Sequence, residues 1–206
     1  MCITVMTIEE IKAAKDLSGQ DLSGLDLSGL DLSHKNFSRA NLSNANLSRT
    51  NLSNCNFSHA TLTESKLAEA LCRHSNFSHA SLLAADLVLS VIDFANFSGA
   101  DLNFALLDRA VGRLANFSQA NLSSASAADA HFPQSDFSGA NLFSATLSTS
   151  VFKKANFSFA NLAWAICGST SFEHANLTSA NLTNANLADA NFTKANLTNA
   201  TVTTAS

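Results

Sequence analysis

Residues 175–200 read ANLTSANLTNANLADANFTKANLTNA, and the same five-residue phrase can be followed in both directions from there. Every fifth residue from Leu17 to Val202 belongs to one unbroken series of 38 positions. Of these, 32 are Leu or Phe; the exceptions are Cys72, Ile92, Gly112, Ala127, Cys167 and Val202. We term this position the centre. Two residues before it, from Ala40 to Ala205, Ala stands at 26 of 34 positions and Ser, Thr or Cys at the others. Asn or Asp most often precedes the centre, Ser or Thr most often follows it, and the residue after that varies most.

A five-residue period suits neither a helix nor an alternating strand. It suits a chain that turns a corner once per repeat, with the centre and the small residue inward and the other three outward. Four such faces close one coil, so residues 20 apart stack. Successive coils then pair at the parallel-strand spacing of roughly 4.8 Å. The expected fold is all-β: a parallel β-helical solenoid of about nine coils, on the order of 45 Å long. It spans residues 16–206, after a helical cap over residues 1–15.

The stretches DLSGLDLSGLDLS (21–33), ANLSNANLS (40–48) and residues 175–200 resemble the A(D/N)LXX motif of pentapeptide repeat proteins, a resemblance that covers residues 15–206. It implies a right-handed quadrilateral β-helix. It implies little about activity, because the family is defined by fold; some members are segments of bacterial secreted effectors. Its quinolone-resistance branch is implied to mimic DNA toward gyrase and topoisomerase through an acidic rod, a C-terminal dimer module and sometimes projecting loops. This chain departs from that branch. Beyond Asp16, Asp21, Asp26 and Asp31 its outward acids are mixed with Lys and Arg, and no long loop interrupts the frame.

Composition narrows the function further. The 206 residues carry 12 basic and 16 acidic side chains, a net charge of −4, which argues against a direct nucleic-acid surface. The apolar runs are too short to span a bilayer, and MCITVMTIEEIKAAK (1–15) lacks the order of a signal peptide. Recurrent Asn-Leu-Ser and Asn-Phe-Ser sequons would be glycosylated in a eukaryotic secretory pathway, and glycans do not suit stacked coils. The expected location is the bacterial cytoplasm, or secretion as an effector without a Sec signal. Cys55, Cys72 and Cys167 fall on inward positions and Cys2 in the cap, without metal-ligand spacing. His34, His74 and His174 share one outward column, and His59 and His79 stack below Arg39. Two stacked surface imidazoles make a weak metal or anion site. With no phosphate-cradling loop, HExxH or nucleophile elbow, we expect neither an enzyme nor a cofactor or metal.

Sorting by 20 separates four faces. Face one carries Phe37, Phe57, Phe77, Phe97, Phe117, Phe137 and Phe157 at its centres, then Leu177. Face two carries Leu42, Leu62, Leu82, Leu102, Leu122, Leu142, Leu162 and Leu182. Faces three and four drift: Ala127 and Cys167 interrupt Leu on face three, and face four passes from Leu52 through Gly112 to Phe132 and Phe152. That passage suggests a changing width. Outward, face four reads Leu71, Val91, Val111 and Val151, with His131 between the last two.

Beside this column lie Val88, Leu89, Phe94, Leu106 and Leu114, with Leu83 and Phe104 at the adjoining edge of face two. A second group is Phe143, Val151, Phe159, Trp164 and Ile166. An outward apolar patch of this extent commonly marks an interface. Its border of Arg73, Asp93, Asp108, Arg109, Arg113, Lys153, Lys154 and Glu173 suits a protein partner. Between the groups, SSASAADAHFPQSD (123–136) holds Pro133, the expected place for a bulge.

At the start, Thr7 with Glu10 fits a helix capping box, placing Ile8 and Ile11 over Leu25 and Leu30. At the far end ANLTNATVTTAS (195–206) has no closing element. This invites a homodimer or end-to-end contact through the last coil, or a longer native chain. The leading reading is a rigid, non-enzymatic rod that presents an apolar lateral surface to a protein partner. The alternatives are a DNA-mimicking gyrase modulator and a purely structural, self-assembling rod.

Overall fold

A computed structural model describes residues 6–205. Cys2 lies outside the described residues. The chain repeats a single turn. The N–H three residues after a centre donates to the centre carbonyl, as from Ala40 to Phe37 at 3.0 Å. The corner residue, two after the centre, has a φ between 53° and 70° in every repeat from Gly19 to Thr204. A β-turn with positive φ at its third residue is what the corner requires. Only Gly19, Gly24, Gly29, Gly99 and Gly139 meet it without a side chain. Each other corner carries a left-handed cost of roughly 1 kcal/mol, offset by the ladder bonds that the turn sets up.

Those bonds run from coil to coil. The centre N–H donates to the carbonyl before the next coil's centre, as Phe57 to Asn76 at 2.6 Å. The corner N–H donates likewise, as His59 to Ser78 at 3.0 Å, and the residue before the centre donates back, as Asn56 to Lys35 at 3.0 Å. Every bridge is parallel and joins residues 20 apart, from Asp16–Asn36 to Asn181–Thr201. Four repeats therefore form one coil. Each face contributes a single bridge residue, and no longer strand forms among the described residues.

One N–H per repeat, on the residue after the centre, has no place in this ladder. The Asn or Asp two residues earlier takes it, as Asn56 Oδ1 takes the Ser58 N–H at 3.1 Å. This is the Asx turn, and it explains the Asn/Asp preference. The amides also link coils, Asn76 Nδ2 donating to Asn56 Oδ1 at 3.2 Å.

Centres and small residues fill the interior. From Phe37 to Phe157 the rings stack with centroids 4.7–4.9 Å apart and planes within 8°. Inward hydroxyls bond back to the preceding coil, as Ser75 Oγ to the Leu52 carbonyl at 2.6 Å. Ser90 Oγ is buried without a partner.

At the N-terminal end α1 (Ile8–Ala13) carries the Thr7/Glu10 capping box. Ile11 is fully buried, and Ile8, Leu25 and Leu30 pack against the core. Lys35, buried where a small residue is usual, adds a device that the pattern does not announce. Its ammonium donates to the Lys12 carbonyl at 2.8 Å and to the Ala14 carbonyl, tying the end of α1 to the first coils.

Two expectations are corrected. Pro133 makes no bulge: Leu114 N reaches the Pro133 carbonyl at 3.1 Å, and Gln134 N reaches Lys153 at 2.8 Å, in register. Pro133 follows its centre, so its missing N–H is the one outside the ladder, and the preceding His131 is no Asx acceptor. Nor does Gly112 change the width. The Phe132 ring fills its place, with Cδ1 2.8 Å from where a Gly112 Cβ would stand. From there face four carries a second Phe ladder, set edge-on to the first: Phe132 to Phe117 at 72° and Phe152 to Phe157 at 82°. Ala127 and Cys167 on face three accompany Phe132 and Phe172, so added volume on one wall is removed from the next.

A lateral apolar surface as the candidate functional site

The corners and the residues flanking each centre decide what this rod shows to its surroundings. In the first group Leu89, Phe94, Phe104, Leu106, Val111 and Leu114 are exposed, and Leu83 is at the margin of exposure. Leu71, Val88 and Val91 are only half-buried. Read as a water-facing column, Leu71, Val91 and Val111 prove to be bridged neighbours, so each covers the next and only the last stands out. Outward projection therefore lies chiefly with the corners. Leu89, Phe94, Phe104 and Leu114 all hold left-handed backbone, which bulky residues adopt at a cost.

Phe94 is not a bare apolar group. It stacks on His74 with centroids 4.7 Å apart, and the Arg113 guanidinium lies 5.0 Å from its ring centroid.

The second group divides differently from its sequence grouping. Phe143 lies on face two, with Phe159 and Trp164 at the corners on either side. Ile166 is exposed on face three, and Val151 is half-buried on face four. Phe159 at 71% and Trp164 at 57% are the most and third most exposed large apolar side chains among the described residues. Ala163 points outward between them yet is only 7% exposed, so its neighbours cover it. Face two is thus invariant only on its inner side.

Charges flank the first group in ordered pairs. Arg73 meets Asp93 at 3.5 Å, and Lys153 meets Glu173 at 3.0 Å. The Lys153 ammonium, hydrogen-bonded to Glu173, holds that carboxyl below its ordinary value. Where Val replaces Asx, an acid one coil earlier supplies the missing acceptor: Asp93 Oδ1 takes the Arg113 N–H at 2.8 Å. Asp108 similarly takes the Ala128 N–H at 2.8 Å. The sequence reading placed both acids only at a charged border; their spacing of 20 from those N–H groups was the available signal.

Chemistry elsewhere is sparse. Among the described residues no group of three or more His, Cys, Asp or Glu is placed to hold a metal. His59 and His79 stack at 5.3 Å, and the His79 ring lies where a Cβ on Gly99 would be, 2.6 Å from its Nδ1. Burial pushes the Cys55 thiol up to about 11 and Cys167 up to about 12, and raises Cys72 further, so none is a nucleophile at neutral pH. No helix of the described residues is long and apolar enough to cross a membrane. In the last coil Leu197 and Val202 are exposed.

A family model described as pentapeptide repeats, in eight copies, matches residues 21–58, 55–91, 95–132, 115–153, 136–166 and 170–206. Among solved structures, the chain is similar to HetL, a pentapeptide repeat protein involved in heterocyst differentiation regulation from the cyanobacterium Nostoc. That likeness has 27% identity over 95% of this chain and 94% of HetL, with a TM-score of 0.44. It is also similar to QnrB1, a plasmid-mediated fluoroquinolone resistance protein, at 18% identity over 88% of this chain and 90% of QnrB1, with a TM-score of 0.52. No curated protein matches the chain.

Proposed function

The chain belongs to the pentapeptide repeat family, whose members fold as right-handed quadrilateral β-helices, and from that premise we propose that it is a non-enzymatic scaffold whose lateral apolar surface binds a protein. The observation that carries this reading is the set of large apolar residues at left-handed corners: Leu89, Phe94, Phe104 and Leu114. The turn favours Gly or Asn there, and the interior gains nothing from an exposed ring. Side chains that are locally unfavourable and exposed, grouped over neighbouring coils and edged by paired charges, are what a protein-binding surface needs.

The likeness to QnrB1 supports the fold alone. The outward charges of face four alternate in sign from Arg73 to Arg113, which gives DNA mimicry no continuous acidic stripe. The bacterial cytoplasm, or secretion without a Sec signal, remains part of this proposal.

The test replaces Leu89, Phe94, Phe104 and Leu114 together with Asn, which tolerates the left-handed corner. Affinity capture from the native cell with this variant is expected to lose the specific partner that the unaltered chain retains. An unchanged set of captured proteins would remove the basis of the proposal.

A further inference from the structure

We propose that face four is a self-recognition surface, on which a second copy of this chain lies antiparallel. The proposal rests on the lateral-surface reading and names a partner for one part of that surface. Its first support is straightness. Successive Phe rings are rotated by 8° or less, so the columns on a face stay nearly aligned from coil to coil.

Two identical flat faces pair about a twofold axis that runs either along the rods or across them. An axis along the rods sets the column before the centre against the partner's column after it. Val91 would then meet Asp93, and Val111 would meet Arg113, burying charge against hydrocarbon. An axis across the rods reverses the second chain and sets like column on like column. Apolar residues then meet apolar residues, and charges meet charges.

The charges select one register. The column after the centre reads Arg73, Asp93, Arg113, Pro133, Lys153, Glu173. With the axis between the coils of Arg113 and Pro133, Arg73 faces the second copy's Glu173 and Asp93 faces its Lys153, each twice by symmetry. The Arg73–Asp93 and Lys153–Glu173 pairs within each chain become alternating four-charge clusters. Val91 faces Val151, Arg109 faces Asp129, and Lys154 faces the Phe94 ring. A shift of one coil one way sets Arg73 on Lys153 and Arg113 on itself. A shift the other way sets Arg113 on Lys153 and Asp93 on Glu173. Both neighbouring registers are therefore repelled, which is how complementary charge fixes register. Six coils at roughly 4.8 Å make a short contact, smaller than the ≈ 800 Å² per partner of a standard stable interface. The dimer is accordingly a weak, concentration-dependent one.

Sedimentation velocity of the full chain over a wide concentration range tests this, with two charge-exchanged variants. One carries Arg73→Glu with Asp93→Arg, and the other carries Lys153→Glu with Glu173→Lys; each keeps an ion pair within the chain. Each variant alone would place like charges across the interface, and its dimerisation is expected to weaken by about tenfold or more. Mixing the two restores every opposite pair, so a mixed dimer of wild-type strength is expected, which a mere folding defect cannot produce. A wild-type chain that stays monomeric at all concentrations overturns the proposal. So does a dimer that withstands both exchanges, or one that mixing fails to restore. In each of these cases the corner-substituted variant, whose charges are untouched, still decides the broader reading independently.

Discussion

Gly112 stands where the series would ordinarily put Leu, and replacing it separates repeat pattern from packing as the rule that governs the core. By pattern, a larger residue at 112 completes the column and stabilises it. By packing, a Cβ at 112 lies 2.8 Å from Ile92 Cγ1, 2.8 Å from Phe132 Cδ1 and 2.9 Å from Phe132 Cε1. The ring has little freedom to retreat, being stacked on Phe152 and edge-on to Phe117 and Phe137. Overpacking of this kind costs about 1–3 kcal/mol. Gly→Ala also restricts the unfolded chain, a gain of about 0.4–1 kcal/mol, and the φ of Gly112 is not left-handed, so Ala adds no backbone strain. The net expectation for Gly112→Ala is a loss of about 1–2 kcal/mol, with Gly112→Leu worse. Phe132→Leu made together with Gly112→Leu gives back the room, and the pair should couple favourably by about 1 kcal/mol or more. Urea unfolding of the single and double variants measures this. A Gly112→Ala protein as stable as wild type, or strictly additive losses in the double variant, would refute the packing argument.

Three further outcomes follow from the interior and the cap. Ser90→Ala removes a buried hydroxyl without a partner and should stabilise by about 1 kcal/mol, whereas Ser75→Ala, whose hydroxyl bonds Leu52, should cost about 0.5–1.5 kcal/mol in the same unfolding assay. Lys35→Met strands the Lys12 and Ala14 carbonyls and should cost about 1–3 kcal/mol, read as faster amide hydrogen exchange in α1 and the first coil only. Acid should loosen the N-terminal coils first. The Ser18 N–H chiefly lowers Asp16, and the serine hydroxyl two residues on chiefly lowers Asp21, Asp26 and Asp31, all below the ordinary 3.8. Groups depressed on folding stabilise above that value and lose the contribution as pH falls through their folded values. Circular dichroism on acidification below about pH 4 should show an early transition that Asp→Asn at the four positions removes.

The period, the number of coils and the inner walls were legible because each repeat obeys one local rule, a corner every fifth residue, that no insertion disturbs. What escaped depends on relations between coils. Pro133 looked like a breaker because a proline lacks an N–H, and only the ladder shows that this N–H is unused. Gly112 looked like a change of width, although the compensation lies one coil later in Phe132. Lys35 occupies a position the pattern reserves for small residues, and its partners belong to α1. The apolar surface was half-legible: its residues were identified, but stacking hides Leu71 and Val91 and leaves projection to the corners. Phe159, Trp164 and Phe143 cluster around face two because corners belong to two faces at once.

If the corner side chains serve binding, they are surplus to the fold, and thermal unfolding of the Leu89, Phe94, Phe104 and Leu114 quadruple Asn variant measures that directly. Asn accepts left-handed backbone more readily than Leu or Phe, and the lost apolar contacts are largely exposed. The Tm should be unchanged or higher. A Tm lower by many degrees would show that these side chains hold the β-helix together, and would contradict their assignment to a partner.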